Sequence, residues 1–213
     1  MPAALQPGEQ SRLGVREVAV GDADLLEAEL GPPAPDITHE ISHIRLHVAC
    51  YSTRLHTSHL KPPLHAHFLV DEAATLEFGA ALARIVQPGM TIYLTGDLGA
   101  GKTTLARGLL KGLGYTGRVK SPTFMLVEVY KFSRLYLYHF DFYRFDEPNE
   151  LGDAGFREYF SPDAICLIEW PEKAVGLPSP DIHVAIEITG DARTVELHAD
   201  TEVGKLCLNR LQH

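Results

Sequence analysis

The chain has 213 residues, 45% hydrophobic and 22% charged, and its 19 basic and 28 acidic side chains give a formal net charge of −9. This composition predicts a globular protein and argues against one that coats nucleic acid non-specifically, because such proteins are basic. No stretch approaches the about 18 apolar residues of a membrane span, the first 20 residues lack a signal-peptide pattern, and the three cysteines are too far apart for a disulfide framework or a zinc site, so we expect a cytoplasmic protein.

Residues 1–66 differ in character from the rest of the chain. Proline pairs at 32–33 and 62–63 interrupt regular structure, and seven of the 11 histidines lie between residues 39 and 67. A short helix over 22–30 is compatible with the pattern. We expect an irregular extension, either disordered or the product of a start codon assigned too far upstream. His39, His43 and His47 would share a helix face, which leaves a metal site as an alternative, although no Cys, Asp or Glu completes a ligand set.

From about residue 67 the apolar pattern becomes regular. Helical spacing predicts helices over 71–86, 102–113 and 151–160, and β-rich runs predict strands over 91–95, 124–130, 134–140 and 164–168. Segments 182–189 and 193–199 alternate apolar and polar residues, which predicts a hairpin across Gly190 and Asp191. The continuous apolar run 164–168 is typical of a strand buried on both faces, so the pattern predicts an α/β fold with some antiparallel pairing.

Residues 96–103 match the phosphate-binding pattern G-x-x-x-x-G-K-[ST] between a predicted strand and a predicted helix. Glycines let the backbone wrap around phosphate with its N–H groups pointing inward, and the helix that starts near Gly101 adds its positive dipole end. Lys102 is placed to reach the β- and γ-phosphates, and the Thr103 hydroxyl to ligate Mg²⁺. The alternative is a flexible glycine turn ahead of an ordinary helix.

Two carboxylates are candidates for holding the cation that such a loop requires. Glu169 ends the apolar run 164–168, and Asp141 follows the strand-like segment 135–140. A carboxylate in either position would project from the carboxyl edge of the sheet, where ligands bind in open α/β folds. The alternatives are a solvated strand end for Glu169, and a turn residue or a salt bridge to Arg144 for Asp141.

The segment 120–124 lies between the P-loop helix and the next strand, where P-loop proteins often have a loop that senses the γ-phosphate. Thr123 offers a hydroxyl there to phosphate, metal or water, unless the segment is a plain strand-initiating turn. The span 102–144 also contains eight basic residues and two acidic ones. This positive stretch would hold nucleotide, meet RNA or form a solvated basic face.

Together these motifs resemble the TsaE (YjeE) family of bacterial tRNA-modification ATPases. The blocks follow the family's order, with the P-loop at 96–104, S-P-T-F at 121–124, H-F-D-F-Y-R at 139–144 and E-W-P at 169–171. Segment 155–160 fits the helix between the last two blocks. The resemblance covers roughly residues 67–213, and residues 1–66 match nothing in the family pattern.

The resemblance implies an α/β, P-loop NTPase-like three-layer fold for residues 67–213, with a small mixed β-sheet flanked by helices. It implies a weak Mg²⁺-dependent ATPase that acts with the TsaB and TsaD proteins and meets tRNA indirectly or weakly. The family serves N6-threonylcarbamoyl (t6A) modification of adenosine 37 in tRNAs that read codons beginning with A. The carbamoyl chemistry would belong to the partners, and ATP turnover would reset the complex.

Carried over onto this sequence, the resemblance implies catalytic roles for Lys102, Asp141, Glu169 and Thr123, with Thr103, Glu169 and Asp141 at Mg²⁺. Glu72 and Thr75 would lie near the adenosine end of ATP or ADP, and Arg193 would reach the nucleotide. The other residues implied in nucleotide binding are Asp97, Leu98, Gly99, Ala100, Gly101, Lys102, Thr103 and Thr104.

Turnover should be slow, because no obvious activating Arg is present in the same chain and Arg144 is the nearest candidate. Two other functions use the same loop. A small-molecule kinase would need an acceptor pocket with a catalytic base, and the sequence shows no Arg-rich lid. A nucleotide-binding scaffold would bind ADP or ATP without hydrolysing it.

Overall fold

The computed structural model describes residues 63–133, 135–145 and 156–212, together with the backbone of 15–19. Its α-helices are α1 (Glu72–Ala83), α2 (Lys102–Gly112) and α3 (Glu202–Asn209). Its strands are β1 (Val15–Ala19), β2 (His65–Leu69), β3 (Thr91–Thr95), β4 (Val127–Lys131), β5 (Tyr136–Asp141), β6 (Ala164–Glu169), β7 (Ile182–Thr189) and β8 (Ala192–Ala199). Short 3₁₀ helices span Phe156–Tyr159, Pro171–Lys173 and Arg210–Gln212.

The described strands form one mixed sheet in the order β1-β4-β5-β6-β3-β7-β8-β2. Its centre, from β5 through β6 and β3 to β7, is parallel. The flanking pairs β4–β5, β7–β8 and β8–β2 are antiparallel, and β1 runs parallel to β4. Because neighbouring parallel strands end at the same edge, the carboxyl ends of β3, β5 and β6 meet there.

Side chains alternate between two cores on opposite faces of the sheet. In β6, Ile165 and Leu167 face the apolar core formed with α1, α2 and α3, whereas Cys166 and Ile168 face a second core. The second core is rich in aromatic side chains, among them Phe140 of β5. In the described part of the chain, this aromatic cluster and the 3₁₀ helix Phe156–Tyr159 cover the second face in place of an α-helix.

The helices α1 and α2 approach each other backbone to backbone, because glycines occupy their contact. A Cβ atom built on Gly79 would lie 2.3 Å from the Leu105 carbonyl oxygen. One built on Gly108 would lie 2.2 Å from the Leu76 carbonyl oxygen. Any larger side chain at these positions would force the helices apart.

The structure confirms the mixed α/β fold and most elements expected from sequence. The helices predicted at 71–86 and 102–113 are α1 and α2, and the strands at 91–95 and 164–168 are β3 and β6. The predicted hairpin is β7–β8, joined across Gly190 at positive φ. Three of the described strands and helices were not predicted: the edge strands β1 and β2 and the helix α3.

Two boundaries differ from the sequence prediction. The strand expected over 124–130 begins only at Val127, because the backbone N–H groups of Met125 and Leu126 both donate to the Pro122 carbonyl and Leu126 has φ of 67°. Of the helix expected over 151–160, residues 156–159 form a 3₁₀ helix, and residues 151–155 lie outside the described residues.

Part of the N-terminal segment takes a regular form. Val15–Ala19 is a strand beside β4, and β2 starts at His65, two residues before the domain boundary expected at 66/67. The helix expected at 22–30 and the histidines His39, His43 and His47 lie outside the described residues. Within the described residues, none of the helices is long and apolar enough to cross a membrane.

Candidate functional site

The loop 96–101 connects β3 to α2 at the carboxyl edge of the sheet. Gly96 has φ of 137°, and a Cβ atom there would lie 2.2 Å from the Ile186 carbonyl oxygen, so only glycine fits this close approach. Gly101 has φ of 110° and begins α2 without a side-chain cap hydrogen bond. The first N–H groups of α2 are therefore not taken by a capping side chain, as an anion site at a helix N-terminus requires.

Glu169 lies beside this helix end as the last residue of β6 and is buried. The Thr103 hydroxyl donates to its two carboxylate oxygens, at 3.0 Å and 3.2 Å. On the other side, His139 Nε2 lies 2.9 Å from Glu169 Oε1. Glu169 is thus a buried acid held between two polar side chains, and it is not the solvated strand end that the sequence left open.

Asp141 ends β5 directly opposite Glu169 in the parallel register of β5 and β6. Its Oδ2 accepts hydrogen bonds from the hydroxyls of Ser121 and Thr123, the latter at 2.5 Å, and its Oδ1 accepts from the Tyr143 backbone N–H at 3.0 Å. Asp141 is buried, so it is not an exposed turn residue. The salt bridge to Arg144 does not form either, because the Arg144 guanidinium lies 4.1 Å from the centroid of the Phe124 ring.

Lys102 is buried and turned back onto its own loop. Its Nζ donates to the Gly96 carbonyl at 2.6 Å and the Asp97 carbonyl at 2.9 Å, and it lies 3.9 Å from the centroid of the Trp170 ring. Burial lowers the pKa of Lys102, and the negative charge of Glu169 is the largest of the opposing effects. Trp170 has φ of 58°, a left-handed conformation that aromatic side chains rarely adopt.

A pocket of about 370 Å³ opens between the loop and the two acids, a volume within the usual range of ligand sites. The loop and α2 contribute Leu98, Gly99, Gly101, Lys102, Thr103 and Thr104, and the opposite side consists of Ser121, Thr123, Asp141, Tyr143, Glu169 and Trp170. A smaller pocket of about 130 Å³ shares Gly99, Gly101 and Thr104 with it. The other residues of the smaller pocket are Glu72, Thr75 and Arg193.

The structure therefore brings the residues implied by the resemblance into two adjacent pockets. Asp97 and Ala100 are exceptions that line neither pocket; the Asp97 carbonyl accepts from Lys102, and the Ala100 carbonyl accepts from Arg193 Nε at 3.1 Å. Glu72 forms an ion pair with Arg107 at 3.2 Å.

Four residues that lie at the site have no role predicted from the sequence: Ser121, His139, Tyr143 and Trp170. All four stand in the family motifs, so motif membership was the available signal. The contact of Trp170 with Lys102 could not be predicted, because it depends on β3 and β6 being neighbours in the sheet.

The oxygen atoms of Thr103, Asp141 and Glu169 are the donor type that Mg²⁺ prefers in proteins. Among the described residues, no group of three or more His, Cys, Asp and Glu side chains is arranged to hold a metal ion. One hydroxyl and two acids suit Mg²⁺, which is usually held by one or two carboxylates together with substrate phosphates. The donor set thus fits this cation bound jointly with a nucleotide.

Comparison with known proteins places these pockets in a family context. Residues 69–197 match the family model described as threonylcarbamoyl adenosine biosynthesis protein TsaE. The chain is 50% identical over 144 residues to the tRNA threonylcarbamoyladenosine biosynthesis protein TsaE of Haemophilus influenzae, covering 65% of this chain and 91% of that protein. It is 39% identical over 123 residues to the Bacillus subtilis protein of the same name, covering 57% of this chain and 77% of that protein.

A solved structure shares the fold. The crystal structure of Bacillus subtilis YdiB superposes with a TM-score of 0.58 and 29% sequence identity. The match covers 70% of this chain and 93% of YdiB.

Proposed function

The chain belongs to the TsaE family of nucleotide-binding P-loop proteins, and from this premise we propose that it is the ATP-hydrolysing accessory subunit in threonylcarbamoyl modification of adenosine 37 of tRNA. The observation that carries the proposal is the Thr103–Glu169 hydrogen bond of 3.0 Å at the start of α2. It joins the P-loop hydroxyl and a strand-end acid, the two groups that P-loop ATPases use to hold their cation.

The nucleotide would occupy both pockets. Its phosphates would lie in the larger one, against the N–H groups of the loop and the start of α2. Lys102 would leave the carbonyls of Gly96 and Asp97 and bind the phosphates instead. Negatively charged phosphate oxygens form stronger hydrogen bonds with the ammonium group than two neutral carbonyls do. The adenosine end would extend toward Glu72, Thr75 and Arg193, which lie across Gly99 and Gly101 from the larger pocket.

Mg²⁺ would be held by the Thr103 hydroxyl and by Glu169, with Asp141 near it. Bound there, the cation would neutralise charge on the phosphate oxygens. Asp141 accepts from Ser121 and Thr123 while its carboxylate faces the pocket, so it is placed to orient an attacking water molecule. We therefore assign phosphate binding to Lys102, cation binding to Thr103 and Glu169, and the water to Asp141 and Thr123.

Hydrolysis by the isolated protein should be slow. Arginine fingers stabilise the charge of the transition state in fast P-loop enzymes. None of the residues described around the larger pocket is an arginine, and Arg144 lies over Phe124. We propose that TsaB and TsaD stimulate turnover, and that hydrolysis resets their complex between rounds of modification. The complex would act in the cytoplasm, and this protein would contact tRNA only indirectly.

We further propose that residues 67–213 are sufficient for this function. Every side chain assigned above lies in that range, and the family match covers 69–197. Residues 1–66 would be dispensable for nucleotide binding.

The test is formation of threonylcarbamoyl-tRNA over many turnovers with purified TsaB, TsaD, threonylcarbamoyl-AMP and tRNA. The protein would be added intact, as residues 67–213, or as Lys102→Ala, with residues 63–213 as a control that keeps β2 whole. We expect product to exceed one equivalent of TsaD with the intact and shortened proteins only. A Lys102→Ala protein that supports wild-type turnover would refute the role of ATP. A phosphorylated small molecule, or tight ATP binding without hydrolysis under any partner condition, would point to a kinase or a scaffold instead.

A further inference from the structure

His139 is a buried polar residue for which the proposed function has no role. It lies on β5 and points to the same face of the sheet as Asp141, two residues further along the strand. Its side chain is fully buried, and its Nε2 lies 2.9 Å from Glu169 Oε1. The buried imidazole therefore contacts Glu169, the acid that we propose as a ligand of the cation.

The surroundings of the ring fix the direction of this hydrogen bond. His139 Nδ1 is buried and has no hydrogen-bond partner in the described residues. A tautomer with its proton on Nδ1 alone would bury an N–H group without an acceptor and would face a carboxylate oxygen with a bare Nε2, which is costly. A proton on Nε2 satisfies the carboxylate, so Nε2 donates to Glu169 Oε1.

Thr103 and His139 share the Glu169 carboxylate unequally. Oε1 accepts from both side chains, whereas Oε2 accepts from Thr103 alone. A cation bound by the Thr103 hydroxyl and Glu169 would compete with the hydrogen bonds between these two groups. Of the side-chain donors observed on Glu169, His139 is the one that does not also have to bind the cation.

We propose that His139 is a positioning residue that orients the Glu169 carboxylate for the divalent cation. This inference rests on the proposed function, because it concerns the cation site assigned there. Side chains that hydrogen-bond to metal ligands restrict the ligand's rotamer before the ion arrives, and their loss typically weakens metal binding by about 10–100-fold. Without His139, Glu169 would sample other orientations. Ordering its side chain would then reduce the free energy of cation binding.

The experiment compares two amide variants that differ in reach. Gln at position 139 can place its side-chain N–H group close to the position of imidazole Nε2, whereas Asn ends near Nδ1 and falls short of Glu169. ADP binding to the full chain would be measured by titration calorimetry in EDTA and at increasing Mg²⁺, which gives the Mg²⁺ concentration at half effect. We expect His139→Asn to raise that midpoint by about 10-fold or more and His139→Gln to stay within about threefold of wild type. ADP affinity in EDTA should be the same in all three.

A purely structural role for His139 makes a different prediction. It would lower the melting temperature without moving the Mg²⁺ midpoint, as expected for the control Leu137→Ala, which removes a buried side chain from the same strand and face. An unchanged midpoint in His139→Asn, or equal shifts in the Asn and Gln variants, would overturn the inference. Wild-type ADP binding that does not respond to Mg²⁺ would overturn the cation assignment of the proposed function itself, and the inference with it.

Discussion

Asp141 and Glu169 lie opposite each other on two adjacent parallel strands, yet their carboxylates accept hydrogen bonds from separate sets of groups. Glu169 accepts from the P-loop residue Thr103 and from His139. Asp141 accepts from Ser121, Thr123 and the backbone N–H of Tyr143. Glu169 is thus connected to the start of α2, and Asp141 to the segment that follows α2 in the chain. Substitutions of the two acids should therefore have separable effects.

Asp141→Asn should slow hydrolysis while leaving nucleotide binding nearly intact. The amide keeps the size of the side chain and can still bond the hydroxyls of Ser121 and Thr123, but it cannot accept a proton from water. We expect kcat to fall by about 10²–10⁴-fold, with ADP affinity in Mg²⁺ changed by less than about threefold. Single-turnover ATP hydrolysis and calorimetry measure the two quantities. Equal losses in rate and affinity would assign Asp141 to binding.

Glu169→Gln, in contrast to Asp141→Asn, should weaken nucleotide binding in the presence of Mg²⁺. Its amide nitrogen replaces one carboxylate oxygen, so the cation loses a charged ligand. We expect ADP affinity in EDTA to stay at the wild-type value and the affinity gain from Mg²⁺ to disappear. A variant that keeps the full Mg²⁺ gain would show that Glu169 does not ligate the cation.

Nucleotide binding should separate Lys102 from Trp170. Trp170 is the single tryptophan of the chain, and the Lys102 ammonium lies 3.9 Å from its ring centroid. If phosphate draws Lys102 away, the environment of the indole changes. The fluorescence of Trp170 should therefore change as ADP is added and level off when the protein is saturated. Lys102→Ala should alter the starting fluorescence and weaken the ADP response by at least about tenfold in affinity. An ADP response in Lys102→Ala equal to wild type would show that the signal arises elsewhere.

Gly96 and Gly99 form a matched pair for testing the loop. Both have positive φ, so alanine at either position costs about 1–3 kcal/mol in backbone strain. At Gly96 the added Cβ also meets the Ile186 carbonyl oxygen at 2.2 Å, whereas at Gly99 nothing lies within 4 Å. We expect Gly96→Ala to lower the free energy of unfolding clearly more than Gly99→Ala, as measured by urea denaturation. Equal losses would mean that φ alone requires glycine in this loop.

The buried His183 makes the stability of the fold sensitive to acid. Its Nε2 lies 2.7 Å from the Thr95 hydroxyl, just before the P-loop. Burial lowers the pKa of His183 to about 4, assisted by His198 and opposed by Asp200, while the ring of Tyr93 packs at its edge. Because the unfolded chain takes up this proton near pH 6.5, the free energy of unfolding should fall as pH drops from about 6.5 toward 4.

For this one group the loss amounts to about 2–3 kcal/mol between pH 7.5 and 4.5. His183→Gln keeps a neutral hydrogen-bonding group and removes the titration. Urea denaturation across this pH range should therefore give a flatter profile for His183→Gln than for wild type. Parallel profiles would show that other groups cause the acid dependence.

The parts of the site that are contiguous in sequence could be predicted from it. The P-loop is one such part, since its glycines, Lys102 and Thr103 act through local backbone geometry. Asp141 and Glu169 could be predicted as candidates because an acid at the end of an apolar strand has a defined place in an α/β sheet. Glu72, Thr75 and Arg193 came only from the family resemblance, because residues on α1 and β8 meet across the loop through packing.

Other features depend on contacts that a sequence pattern does not encode. The strand β2 carries histidines and the exposed Phe68, so it lacks a clear apolar alternation. The late start of β4 depends on two hydrogen bonds to Pro122, which hold residues 123–126 in a turn. The hydrogen bond from His139 to Glu169 joins residues 30 positions apart, and it required the neighbouring register of β5 and β6.

The glycine contact between α1 and α2 makes these two helices one closely packed wall of the candidate site. α1 carries Glu72 and Thr75, and α2 carries Lys102 and Thr103, so a nucleotide in the two pockets would have both of its ends on this wall. Motion that reports ATP or ADP to a partner would then fall to the opposite wall. That wall holds Thr123 and Trp170 on short connections outside the strands, where a change of nucleotide can be converted into a change of surface.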